Sequence, residues 1–202
     1  MGTYSVKFLD ATTWSDFVQL AERHNGVWGG CWCLRFHQEL SKTSAAENRS
    51  EKERRVMEGR AHAALVYDEN VCVGWCQFGR LAELPNIKYR QAYDENSTVL
   101  PDWRITCFFV DRKFLGRGVA SAALTGALDA ITQSGGGTVE AYPEDYNGRE
   151  VSKSLPYMYN GLVSMFERHG FERVFRLGKH HWAVRKVMDS PPTREEDAAS
   201  HP

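Results

Sequence analysis

The chain has 202 residues, 42% hydrophobic and 12% aromatic, enough for one domain with a sizeable core and too apolar for a disordered chain. Lys+Arg 25 against Asp+Glu 26 leave a net charge of -1, without the basic balance that marks a nucleic-acid binder. No apolar run reaches the ~18–20 residues of a membrane span, and residues 1–6 lack the basic-then-apolar order of a secretory signal, so no membrane role is expected. The five cysteines (Cys31, Cys33, Cys72, Cys76 and Cys107) are expected as reduced thiols in a cytoplasm.

Residues 4–9 alternate and predict a first strand. Thr13 with Asp16 three later gives a capping-box-like start. The helix it opens carries Trp14, Phe17, Val18 and Leu20 as a stripe, and Asn25-Gly26 ends it. Residues 27–37 are aromatic-rich and glycine-broken and follow neither period. Ser44 and Glu47 open a second helix, charged and expected on the surface, with Glu51 and Arg55 paired at i,i+4. Residues 63–67 and 71–78 flank Asp68-Glu69-Asn70 as a hairpin. Residues 84–101, with Pro85, Asn86, Asp94, Asn96 and Pro101, predict a loop. A buried strand over 104–110 leads to a helix from Gly118 through Ile131, stopped by Gly135-Gly136-Gly137. A strand over 138–142, a loop over 143–157, a short helix over 162–169 and closing strands over 171–175 and 181–187 complete the domain, taken as 1–188. The polar, proline-rich remainder, 189–202, predicts a disordered tail. The mixed order implies an α/β (mixed α+β) sheet with helices on both faces.

The junction Val110-Asp111-Arg112-Lys113-Phe114-Leu115-Gly116-Arg117-Gly118-Val119-Ala120 sits between a buried strand and a strong helix. Two glycines one apart let a backbone pass close to a bulky ligand. Free N–H groups at the helix start and the macrodipole prefer an anion there. Walker A fits poorly, because Val119 follows Gly118 where that motif needs Lys. Gly116-x-Gly118-x-x-Ser121 with Glu140 downstream nearly fits a dinucleotide fingerprint, though the residues after it are too few for a doubly wound sheet. A merely structural turn is the third reading.

Lys113-Phe114-Leu115-Gly116-Arg117-Gly118 resembles the Arg/Gln-x-x-Gly-x-Gly/Ala loop of the GNAT superfamily of N-acetyltransferases. The segment 164–171, ending His169-Gly170-Phe171, is similar to the family's late helix-to-strand segment. Trp28-Gly29-Gly30-Cys31-Trp32-Cys33 with Gly74-Trp75-Cys76 resembles a bacterial subgroup of that family. The resemblance implies a splayed, mostly antiparallel sheet, and transfer of an acetyl group from acetyl-CoA to a primary amine. A small-molecule acceptor is expected from the aromatic front loop, and a homodimer is common in the family. It places acetyl-CoA along Phe108, Phe109 and Val110 on the strand, then on Lys113, Leu115, Gly116, Arg117, Gly118, Val119, Ala120 and Ser121, with Phe166 nearby. Lys113 and Leu115 depart from the loop pattern. Phe166 stands where many members carry the tyrosine that protonates the leaving thiolate.

The resemblance puts Glu140 on the strand that borders the acceptor cleft, as the first candidate base. Tyr159 and Tyr142 are candidate acids for the thiolate. Cys107 could approach the acetyl group, although a buried cysteine is ordinarily an inert small hydrophobe. Trp28, Cys31, Trp32 and Cys33 fall where the family builds its acceptor-side wall; a core loop anchored by tryptophans is the plainer reading. Cys31-x-Cys33 with His37 has the residue types of a metal site but no second ligand pair, so no metal is expected. Glu144-Asp145 could attract a cationic acceptor. A non-catalytic acyl-CoA sensor, and less so a dinucleotide-dependent oxidoreductase, stand beside the transferase reading.

Overall fold

The structure is a computed structural model that describes residues 4–37, 44–146 and 159–190. Most of the expected 143–157 loop and the tail beyond residue 190 lie outside the described residues.

Seven strands form one sheet in the order β1-β2-β3-β4-β5-β7-β6. These are β1 (Ser5–Phe8), β2 (His62–Asp68), β3 (Val71–Arg80), β4 (Trp103–Val110), β5 (Gly137–Ala141), β6 (Glu172–Arg176) and β7 (Trp182–Met188). Every neighbouring pair is antiparallel except β4 and β5, which run parallel. That one parallel pair spans only Trp103↔Val139, Arg104↔Glu140 and Ile105↔Ala141. Beyond Ile105 the strands part, while β4 continues to Val110 with β3 as its one partner among the described strands. Main chain from residues 159 and 160 enters the base of this gap. The N–H of Phe108 donates to the carbonyl of Tyr159 at 2.6 Å, and the Asn160 amide donates to the carbonyl of Thr106 at 2.9 Å.

Helices cover both faces. Ala64, Val66 and Cys76 face α4 (Val119–Gln133), which presents Ala123, Leu124, Ala127 and Ile131 at helical spacing, and α5 (Val163–Arg168) adds Met165 and Phe166. Leu65, Tyr67 and Trp75 alternate to the other face, beneath Phe17, Leu20 and Ala21 of α1 (Trp14–Glu22). Burial on both faces explains why β2 and β3 read as near-continuous apolar runs. Trp75 has no exposed surface and lies 4.7 Å from the Phe17 ring and 4.9 Å from the Phe109 ring, centroid to centroid.

The hairpin forms as expected, and α2 (Ala45–Met57) starts with a complete capping box between Ser44 and Glu47. Glu51 accepts from Arg55 at 2.6 Å, as its spacing predicts. Two details differ. Thr13 precedes α1 but does not cap it with its side chain. Its hydroxyl donates to the carbonyl of Phe8 at 2.7 Å, and Asp10 takes the N–H groups of Thr12 and Thr13. Asp16 instead accepts from the Tyr67 hydroxyl at 2.8 Å. The 84–101 stretch contains a helix, α3 (Arg90–Asn96). Its punctuating Asp94 and Asn96 are exposed, whereas buried Tyr93 anchors it against Tyr142 and Phe175. A single tertiary anchor leaves no periodicity to read.

Candidate active site

A cavity of about 330 Å³ opens where β4 leaves β5. Phe108, Phe109 and Val110 form its strand wall. Val119, Ala120 and Ser121 at the start of α4 face them, with Leu115, Gly116 and Gly118 at the mouth. Gly161, Leu162, Met165 and Arg168 close the third side, and Trp28 the far end. Gly116 and Gly118 have φ of +73° and +88°, a left-handed region that costs other residues roughly 1–2 kcal/mol. A Cβ added at either would meet nothing within 4 Å, so their glycine identity serves backbone conformation and leaves the approach open. Gly118 caps α4, whose first N–H groups have no intrahelical acceptor and face the mouth.

Asp111 holds this turn in place. It accepts from the N–H of Lys113 at 3.0 Å and lies 3.3 Å from Nε2 of His24. Burial raises its carboxyl, but the Lys113 N–H and His24 outweigh burial and leave it below its ordinary value. On β4, the N–H of Asp111 bonds β3 through Val73 while that of Phe108 points into the gap. The two-residue alternation therefore turns the N–H of Val110 into the gap as well.

Three residues expected at this site do not line the cavity. Lys113 and Arg117 are exposed beside its mouth, where long charged side chains remain hydrated. Phe166 is wholly buried behind the wall, edge-on to Phe108 at 5.9 Å and Phe171 at 5.0 Å. Conversely, Leu162, Met165 and Arg168 line it without having been singled out; they share the short α5 region whose sequence signal was its Gly-Phe ending.

A second cavity of about 120 Å³ adjoins the first. Trp28 borders both, and Tyr159 packs edge-on to it at 5.7 Å. Cys31, Cys33, Arg35, Phe36 and Cys107 complete its lining. Thus Trp28, Cys31 and Cys33 are brought together, and Tyr159 joins them. Trp32 is not among them. It is buried among Trp14 at 6.3 Å and Phe17 at 6.1 Å, with the Arg49 guanidinium over its ring, and so serves the core.

Glu140 and Tyr142 are corrected in position. They sit on or just past β5 where it is still near its partners, and neither lines either of these two cavities. Fully buried Glu140 accepts from Arg185 at 2.6 Å and from the Tyr142 hydroxyl at 2.8 Å. Its oxygens are committed to neutralising a cation. Burial and the Glu140 charge push the Tyr142 hydroxyl well above its usual range, so it holds its proton. Glu144 and Asp145 are likewise engaged, with His181 at 3.5 Å and Arg173 at 2.7 Å. Nε2 of His37 faces the Gln77 amide at 2.6 Å rather than Cys31 or Cys33. Burial and the nearby Lys52 and Arg55 charges bring His37 down to about 2, so it is neutral.

Several solved acetyltransferases share this fold. A histone acetyltransferase HPA2-related protein of Corynebacterium glutamicum is 17% identical, with 94% of this chain and 99% of that chain covered, at a TM-score of 0.53. YncA of Salmonella typhimurium, a structure with its cofactor acetyl-CoA, is 13% identical over 98% of both chains at 0.52. An acetyltransferase of Thermus thermophilus is 13% identical over 92% and 97% at 0.50. At these identities the likeness is one of fold. No curated protein matches the sequence. The family model described as Acetyltransferase (GNAT) family matches residues 31–152, more than half of the chain, including β4, the glycine turn and α4. The chain belongs to the GNAT acetyltransferase family.

Proposed function

We propose that this protein is an N-acetyltransferase that moves an acetyl group from acetyl-CoA to a primary amine carried by a small molecule. The observation that carries the reading is the open, left-handed turn at Gly116 and Gly118, which aims the unpaired N–H groups of α4 into a cavity running along β4. A helix start of this kind favours phosphate by ~0.3–1 kcal/mol per charge at an exposed site. Lys113, Arg117 and Arg168 surround it with positive charge. The apolar strand wall and the inward N–H of Val110 suit a pantetheine arm, which carries amides on an otherwise apolar chain.

Bound acetyl-CoA supplies an activated thioester carbonyl. The second cavity, reached past Trp28, is the proposed seat of the acceptor, and its 120 Å³ supports a small one. Tyr159 borders that cavity and is the proposed proton donor to the leaving thiolate, in place of the residue that Phe166 replaces. An amine of pKa near ~10.4 is unprotonated in only about one molecule in 2,500 at pH 7. No carboxylate borders either cavity among the described residues, so the amine proton leaves through water.

The test is release of free thiol from acetyl-CoA across a panel of small amines, beside a thermal shift with acetyl-CoA alone. Saturation at 100 times Kd should stabilise the fold by ~2.7 kcal/mol. Absence of both signals sinks the proposal. A shift without thiol release from any amine supports a non-catalytic acyl-CoA sensor, which the buried Phe166 favours as the second reading.

A further inference from the structure

The inner wall of the smaller cavity contains a pair of thiols in direct contact. The sulfurs of Cys33 and Cys107 lie 3.0 Å apart, although 74 residues separate them in the chain. The Trp75 indole N–H, which can only donate, points at the Cys33 sulfur from 3.1 Å. Cys33 therefore accepts from the indole while its thiol and that of Cys107 share one S–H···S contact. Lys52 projects from α2 into the same region. It is 1% exposed, and its ammonium nitrogen has no hydrogen-bond partner. A buried, unpartnered ammonium is expensive unless a negative charge lies near. Burial lowers Lys52 from its ordinary value, and negative charge on Cys33, Glu83, Cys107 or Cys31, in that order, works against it. Glu83 is shared with His62, 2.6 Å away, and Cys33 stands first among the thiols that act on Lys52.

We propose that Cys33 and Cys107 form an oxidation site that reacts with a hydroperoxide and closes to a disulfide, with Cys33 the attacking thiolate and Cys107 the resolving thiol. Burial raises the Cys33 thiol, but the Cys107 S–H, the Lys52 charge and the Trp75 N–H together bring it below its ordinary value. Contact with Cys33 and burial hold Cys107 well above it, so Cys107 keeps its proton. This division of roles is what a resolving pair needs, because the thiolate is the nucleophile.

The Cys33 sulfur attacks the terminal oxygen of the hydroperoxide. The O–O bond breaks, and the alkoxide or hydroxide leaves with the proton held on Lys52. Cys33 is now a sulfenic acid. The Cys107 sulfur attacks it, the S–O bond breaks, and hydroxide departs with the Cys107 proton as water. Two thiols lose two electrons and the hydroperoxide gains them, giving one disulfide, one alcohol or water, and one further water. Cys31 and Arg35 border the same cavity nearer the surface, and its 120 Å³ admits a molecule of peroxide size. A soft metal ion is the rival occupant of two thiols, but the adjacent buried ammonium repels a cation.

If the smaller cavity seats the acceptor amine, closure of the pair reshapes that seat; this consequence alone rests on the transferase reading. The chemistry is tested without it. The native protein is treated with hydrogen peroxide, alkylated after unfolding, and digested with trypsin for mass analysis. A link is expected between the peptide carrying Cys33 and the peptide carrying Cys107, lighter by two hydrogens than their sum and reversed by dithiothreitol. It should persist in Cys31→Ser and vanish in Cys107→Ala. Lys52→Met should slow its formation on the order of tenfold, the effect of a one-unit rise in the thiol's pKa. Recovery of Cys33 and Cys107 as alkylated free thiols from treated wild-type protein overturns the proposal. So does a Cys31–Cys33 bond formed in preference. Amine acetylation measured on the same samples reports separately on the transferase reading.

Discussion

The two sides of the cleft are built by different means. The α4 side is made by main chain: two left-handed glycines, a helix start, and the inward N–H of Val110. The front-loop side is made by side chains, with Trp28, Cys31 and Cys33 set on a main chain that is itself left-handed at Val27, Trp28, Trp32 and Cys33. Such non-glycine residues store roughly 1–3 kcal/mol each and persist only where surroundings over-determine them. Here the surroundings are the packed rings of Trp14, Phe17 and Trp32, with the ring of Trp75 against Phe17. A main-chain wall tolerates changes of side chain but not of dihedral angle. A side-chain wall depends on packing, so its site and its stability share the same residues.

That contrast can be broken at its strongest point through Trp75. It touches Phe17 and Phe109 and donates to Cys33, so it supports both walls at once. Trp75→Ala should lose about 3–5 kcal/mol in urea unfolding; a loss below 1 kcal/mol would show that the walls do not share a core. Next, Gly118→Asp should leave the fold intact and weaken acetyl-CoA binding by about 10–100-fold in calorimetric titration. The forced left-handed angle and the carboxylate at the helix start act together there. Unchanged affinity would mean that the turn does not hold the phosphates.

Ser44→Ala should cost about 1 kcal/mol, since it removes the cap from α2, the helix that carries Lys52, without touching either cavity. Thermal unfolding would register it, while acetyl-CoA affinity should stay fixed. The smallest effect concerns pH. Asp111 has a depressed folded value, so its contribution is complete above the unfolded value of about 3.9 and is lost as the pH falls through the lower folded one. Asp111→Asn should flatten that acid limb of the stability curve. An acid limb as steep as wild type would assign the loss to other carboxylates.

The same contrast explains what the sequence made legible. Gly116, Gly118 and the apolar stripe of α4 are local signals, and the strand–turn–helix they announce is where it was expected. The hairpin and the Ser44–Glu47 box are local too. The buried Lys52 was hidden because α2 reads as a charged surface helix. Its inner face is Asn48, Lys52 and Val56, spaced by four, and two of the three are polar. Glu140 is misplaced for a similar reason. Its position on β5 is visible in the chain, but its pairing with Arg185, 45 residues away, is not. Tertiary partners decide whether a carboxylate is a base or a counter-ion.

One strand in this sheet has two characters. β4 is an interior strand as far as Ile105 and an edge strand after it. An unpaired edge is a template for any passing chain, and proteins commonly cover it or break it. Here Tyr159 and Asn160 cover the lower part, at Phe108 and Thr106. Among the described residues the upper part, through Val110, is walled by α4 and α5 within the cleft, where a small ligand can reach it and another strand cannot lie flat. A feature that would invite aggregation on an outer edge is thereby kept as a reserved set of hydrogen-bonding groups, open only to a partner narrow enough to enter.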